Sequence, residues 1–349
     1  MTPYLSIYGI SSFLALILRS RLHARILMFV LAALLVLFAG TRFEVGCDWA
    51  GYLLRFNSLY QGESWASVIQ QPEAGFHLLN FAVIDASFGY GAMILIASVI
   101  YIFCLVRFSQ IAPRPLDVLI LMYPILVLQL GMSGLRQALA LGLLLLAFRA
   151  FVERSRIMIV VWVLLASTFH TSALIFLPLA LIAARQFSFR RVIASLVLLI
   201  PVALVLMGER IGLYEARYIE QEFGENSSAG AWYRYALALI PFLGFEWKKG
   251  LVEQKFPHLY PLLRLFSLIT IGLVFIGGLS SVALHRLGFY VLPVSILAMV
   301  CVADVAFSRG SREFARALPF VAYGLYMVVW FSSSRHASLC YVPYQSWLI

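Results

Sequence analysis

The chain has 349 residues, 62% of them hydrophobic and only 12% charged, with a mean hydropathy of +0.93. Soluble domains carry about a quarter charged residues, so the composition excludes an ordinary soluble enzyme and points to an all-α polytopic membrane protein. The net charge of +10 would suit nucleic acid in a soluble protein, but here it reads as cytoplasmic loop marking, and no nucleic-acid partner is expected.

Apolar segments of about membrane length lie near 3–18, 26–40, 91–106, 116–131, 134–149, 157–169, 171–184, 192–207, 232–246, 261–281, 286–306 and 316–331. Residues 3–18 lack a preceding basic region and are followed by Arg19, Arg21 and Arg25, so they read as a retained first helix. Six loops concentrate the positive charge: 19–25, 107–114, 149–156, 185–191, 248–255 and 309–316 hold 17 of the 26 Lys and Arg residues. Assigned to the cytoplasm, they place the larger loops 41–74 and 208–231, the turns near 131–135, 168–171 and 281–286, and the tail 332–349 outside.

A further segment, 75–89, is short and interrupted by His77, Asn80 and Asp85. Were it to cross, every later loop would change sides against the charge pattern. The simpler expectation is that it dips in and returns, or lies at the outer interface, beside an outward-facing cavity. The alternative is a short true span. About 12–13 helices in one integral membrane domain, 1–349, are therefore expected.

No CxxC occurs, and the His residues show no metal-ligand spacing, so neither metal nor cofactor is expected. Cys104 and Cys301 lie in apolar runs. Cys47 and Cys340 both fall in segments assigned outside, where an oxidising compartment permits a disulfide that spacing alone does not decide.

The loop 41–74 opens with Arg42, Glu44, Gly46, Cys47, Asp48, Trp49 and Tyr52 and closes with Pro72, Glu73, Ala74, Gly75 and Phe76. Its middle, 52–70, suits short amphipathic surface helices. Aromatic rings there can stack on sugars and carboxylates can accept from hydroxyls; an interfacial aromatic belt would look the same. Arg136 follows the turn Gly131–Met132–Ser133–Gly134 at the start of a helix, where a guanidinium opposes the dipole but suits a bound anion. Arg234 and Arg286 repeat that placement, and with Arg42 they make four arginines on the face where the charge bias disfavours them. Such arginines suggest an anionic ligand outside, although each alone could snorkel to headgroups. His170 stands in a tight outer turn, with Thr171 or Ser172 expected to cap the next helix. Asp304 sits near a cytoplasmic helix end, where snorkelling accounts for it.

Six motifs in order resemble the EpsG family of Wzy-like bacterial exopolysaccharide polymerases: Arg42 to Tyr52, Pro72 to Phe76, Gly134 to Ala138, Phe169 to Ala173, Arg286 to Tyr290 and Tyr341 to Tyr344. Cys47 stands where that family usually has Thr, Trp49 where Tyr is common, and Pro72 is displaced before Glu73. The resemblance implies a metal-independent glycosyltransferase in the bacterial cytoplasmic membrane, its site facing the periplasm or exterior. It would transfer a growing glycan from a polyprenyl diphosphate carrier to the next lipid-linked repeat unit. A chain-length regulator and a flippase of the same pathway would be its partners, with the lipid bilayer.

On this reading Arg136, Arg286, Arg42 and Arg234 hold the diphosphate. His170, Asp48 and Glu73 are the candidates for the base that deprotonates the acceptor hydroxyl. Trp49, Tyr52, Tyr290 and Tyr344 are the expected sugar platforms. Two other classes use similar residues: a flippase for lipid-linked oligosaccharides, which wants charges along a path to both faces, and a membrane acyltransferase, which wants a His on the donor side.

Overall fold

The computed structural model describes residues 1–58, 62–183, 190, 229–277, 281–307 and 309–348. Among them the chain is helical and without strands, save an isolated bridge between Arg42 and Ser346. It is an all-α polytopic membrane protein. Five described helices are long and apolar enough to cross a membrane: Arg21–Gly40, Tyr90–Ser109, Leu135–Val152, Leu287–Val305 and Ser311–Ser333. Shorter apolar helices accompany them. The expected segment 192–207 and most of the loop 208–231 lie outside the described residues.

The chain gathers into two compact units. The first comprises Met1–Leu146, Leu165–His170 and Phe307–Ile349. It holds α1 (Thr2–Ile17), α2 (Arg21–Gly40), α3 (Trp49–Ser58), α4 (Trp65–Ile69), α5 (Ala74–Asp85), α6 (Tyr90–Ser109) and α7 (Pro115–Met122). The first part of α8 (Leu135–Val152) and the end of α9 (Arg156–Ser167) also belong to it.

The second unit contains the rest of α8 and α9. It continues through α10 (Leu179–Ile182), α11 (Ala229–Lys255), α12 (Tyr260–Gly277) and α13 (Ser281–Val305). The chain returns to the first unit for α14 (Arg309–Ser333) and α15 (Arg335–Cys340).

In the first unit α2 packs along α6, and α1 along α14 and α7. Arg316 of α14 clamps the buried Asp117 of α7 through two hydrogen bonds of 2.7 and 2.8 Å, and donates to the Ala15 carbonyl at 2.7 Å. A carboxylate this deep is tolerable because it is paired and its lone pairs are filled. In the second unit α11 and α13 run together with α12 against both. Ser295 donates to the Ala238 carbonyl at 2.6 Å, and Phe148, Phe176 and Phe266 form an aromatic cluster. Lys255 holds Asp304, so that acid has a protein partner rather than reaching for solvent alone.

Three local expectations are corrected. The run 116–131 is not one α-helix: α7 passes at Tyr123 into a π-helical stretch, Tyr123–Gly131. Pro124 supplies no N–H and crowds the preceding turn, which loosens the ladder there. The run 171–184 is not a long span within its described part: a 3₁₀ turn, Thr171–Phe176, leads through Pro178 into the four-residue α10. Ser172 does not act as an α-helix cap; its Oγ lies 2.7 Å from the Tyr290 hydroxyl.

Segment 75–89 forms α5, which has 12 residues. That length rises about 18 Å, against about 30 Å of hydrocarbon. Surface helices are found where 52–70 suggested them, as α3 and α4.

Candidate functional site

The site is assembled in the first unit from four pieces of chain: the loop before α3, the start of α5, the start of α8 and the end of α9. Each is held by backbone contacts that the sequence dictates.

The first piece is tied to the C-terminal tail. Phe43 N–H donates to the Gln345 carbonyl at 3.0 Å, Trp347 N–H to the Thr41 carbonyl at 2.8 Å, and Gly46 N–H to the Cys340 carbonyl at 2.7 Å. Cys47 and Cys340 form a disulfide. Gly46 has φ +105°, and a Cβ there would fall 1.9 Å from the Met132 carbonyl oxygen. Only glycine allows this approach. Cys47 N–H donates to Ser133 Oγ at 3.1 Å, so the loop that carries Asp48 is laid directly on the turn that carries Arg136.

That turn is prepared by the π-helical stretch. Wider π geometry leaves carbonyls for side chains to collect: Tyr101 donates to Leu126 O at 3.1 Å and Tyr341 to Leu128 O at 3.2 Å. Gly134 N–H closes the turn onto Leu130 O at 2.8 Å, and α8 begins at Leu135 with Arg136 second.

The third piece turns sharply. Glu73 is the cap of α5 with φ 59°, a left-handed conformation that costs a non-glycine residue energy. Gly75 N–H donates to the Thr168 carbonyl at 2.8 Å, and a Cβ on Gly75 would meet Thr168 Oγ1 at 2.2 Å. The start of α5 is thereby seated on the end of α9, two residues from His170.

At the centre, Glu73 bridges two cation-forming groups. Arg136 Nη1 donates to Glu73 Oε2 at 2.9 Å, and His170 Nδ1 lies 3.0 Å from Glu73 Oε1. The Glu73 side chain is only 5% exposed, His170 18% and Arg136 34%, so the carboxylate is the buried pivot and the two partners reach outward. With Nδ1 facing Glu73, the other ring nitrogen of His170, Nε2, lies on the side of the imidazole away from the carboxylate. Arg136 also lies over the Phe76 ring, 6.0 Å from its centroid, and the buried Tyr52 packs against that ring at 5.6 Å.

Asp48 lies within electrostatic reach of Arg136 and Arg55. Crowding by the surrounding protein pushes its carboxyl above the ordinary value, and those two guanidiniums pull it partly back.

The structure thus brings Arg136, Glu73, His170, Asp48 and Tyr52 together. It does not bring Arg42 to them. Arg42 is 1% exposed and donates to the Val45 carbonyl at 3.1 Å and to the Ala39 carbonyl. Tyr4, Tyr90, Tyr341 and Tyr344 act on it electrostatically. This is a structural strut, not a rim residue, because both its position and its donors are spent on the backbone. Arg234 and Arg286 have side chains outside the described residues, although α11 and α13 include both positions.

The expected sugar platforms are packed rather than displayed. Trp49 is buried against Phe43 and Tyr90. Tyr344 stacks on Phe38 at 4.3 Å and donates to its carbonyl at 2.8 Å. Tyr290 belongs to the second unit, buried at Ser172 and Phe176.

Two residues join the site without having been singled out for it. His77 lies one turn after Glu73 on α5, and Arg55 lies on α3 beyond Tyr52; both share the electrostatic field of Arg136. Helical spacing from Glu73 and from Tyr52 was the available signal. Among the described residues no group of three His, Cys, Asp or Glu side chains could hold a metal ion.

The sequence model of the EpsG family matches residues 25–346, nearly the whole chain. That match makes the chain an exopolysaccharide polymerase-like membrane protein, with the glycosyltransferase-type role that implies. Comparison with curated proteins and with solved structures returns no match.

Proposed function

The chain belongs to the EpsG family, and from that premise we propose that it elongates a glycan by transfer from a polyprenyl diphosphate carrier to the next carrier-linked repeat unit. The observation that carries the reading is the bridge Arg136–Glu73–His170: one buried carboxylate orients a guanidinium and an imidazole side by side.

The chemistry asks for those two groups. A diphosphate leaves as an anion and needs its growing charge stabilised rather than a proton; the outward edge of Arg136 supplies hydrogen bonds and charge. The acceptor hydroxyl must lose a proton as its oxygen attacks the anomeric carbon. His170 Nε2 takes that proton, and Glu73 steadies the imidazolium that results. One C–O bond to the acceptor forms, the anomeric C–O bond to phosphate breaks, and the electron pair leaves with the diphosphate. Glu73 is therefore a positioning residue, not the base. Asp48, near Arg136 at the rim, is placed to accept from sugar hydroxyls.

An extracytoplasmic setting is supported by the Cys47–Cys340 disulfide, one residue from Asp48, since such bonds persist in oxidising compartments.

The test uses the purified full chain in vesicles, synthetic carrier-linked units and no energy source, with product length as readout. Wild type should yield ladders of polymer, and Arg136→Ala should leave single units. Equilibration of units across the bilayer without elongation would overturn the reading in favour of a flippase. Normal ladders from Arg136→Ala would remove that residue from the mechanism.

A further inference from the structure

Charge balance at the site is incomplete without another cation. Glu73 and Asp48 bring two carboxylates, while Arg136 brings one guanidinium and commits part of it to Glu73. A centre that is neutral or negative would repel a diphosphate at close range. Arg55 corrects this. It lies on α3 three residues after Tyr52, about one helical turn on, and seven after Asp48, which immediately precedes the helix. Tyr52 packs on the Phe76 ring at 5.6 Å, and Arg136 lies over that same ring at 6.0 Å, which brings α3 to the start of α8. Arg55 itself is exposed, and it acts electrostatically on both Asp48 and His77, the same two groups on which Arg136 acts.

We infer that Arg55 is the second diphosphate-binding residue, gripping the ligand from the rim of α3 while Arg136 holds it from the start of α8. This rests on the reading of the site as a holder of carrier diphosphate. Two guanidiniums approaching from different helices suit a ligand with two linked phosphoryl groups, each offering a pair of oxygens to a planar fork. A monophosphate has no second group for Arg55 to hold. The contrasting role for an exposed arginine on a surface helix is an anchor to lipid headgroups, which would not distinguish the two ligands.

The experiment measures binding of farnesyl diphosphate and farnesyl monophosphate to the purified full chain in nanodiscs of neutral lipid. Wild type should prefer the diphosphate. Arg55→Ala should weaken diphosphate binding by about 10- to 100-fold, the range for losing a charge-assisted contact, and leave monophosphate binding within about twofold. Arg55→Lys should recover part of the loss. Arg55 is exposed, so unchanged melting of the variants confirms their fold. If Arg55→Ala retains the preference, or weakens both ligands equally, the inference about Arg55 is wrong while the diphosphate reading stands. If wild type shows no preference for the diphosphate, that reading falls, and the role of Arg55 with it.

Discussion

Arg42 and Arg136 look alike in sequence, each an arginine at the edge of an apolar segment, yet they occupy opposite kinds of environment. Around Arg42 everything is closed: the residue is 1% exposed, and its donors meet the backbone carbonyls of Val45 and Ala39. Around Arg136 the inner edge is tied to Glu73 but a third of the side chain remains exposed. The first region spends its polar groups on itself. The second keeps some unspent, and that reserve is what a site for an outside ligand requires.

Three variants sharpen or break this contrast, ranked by their expected cost to stability. Arg42→Ala removes two hydrogen bonds to a charged donor and strands two carbonyls; the loss should be about 3–6 kcal/mol, read as failure to give a monodisperse peak in detergent. Survival of that variant with wild-type melting would erase the distinction. Replacing both Cys47 and Cys340 with Ser should cost about 2–4 kcal/mol. Because the bond lies between the two regions, elongation should fall as well, and reductant should reproduce both effects on wild type. Arg136→Lys should cost least in stability, under about 1 kcal/mol, since the ammonium still faces Glu73. Its elongation rate should nevertheless drop about 100-fold, because the fork is gone. Melting and rate falling together in that variant would place Arg136 among the struts.

The membrane helices were legible because apolar length and positive clusters report directly on the bilayer, as at Arg21–Gly40 and Tyr90–Ser109. The break at Tyr123 was less so: Pro124 was visible, but an apolar run hides whether the ladder widens or ends. Gly46, Glu73, Arg136 and His170 were each marked by local pattern, since sharp turns and charges stand out against lipid-like sequence. What the pattern does not carry is tertiary distance. The same rules that flagged Arg136 flagged Arg42, and aromatic content alone could not separate Trp49 and Tyr344, which fill space, from Tyr52, which packs on the ring that Arg136 covers. Arg55 drew no notice because an arginine on an amphipathic surface helix is ordinary until its neighbours from other segments are known.

The two half-cystines are separated by 293 positions. At about 5–20 residues per second, a ribosome needs roughly 15–60 s to go from the first to the second. Throughout that interval the nascent polypeptide has Asp48 on an unfastened loop. The loop is therefore fastened only once Cys340 has been translated, and a product truncated before that position would carry Asp48 without its tether.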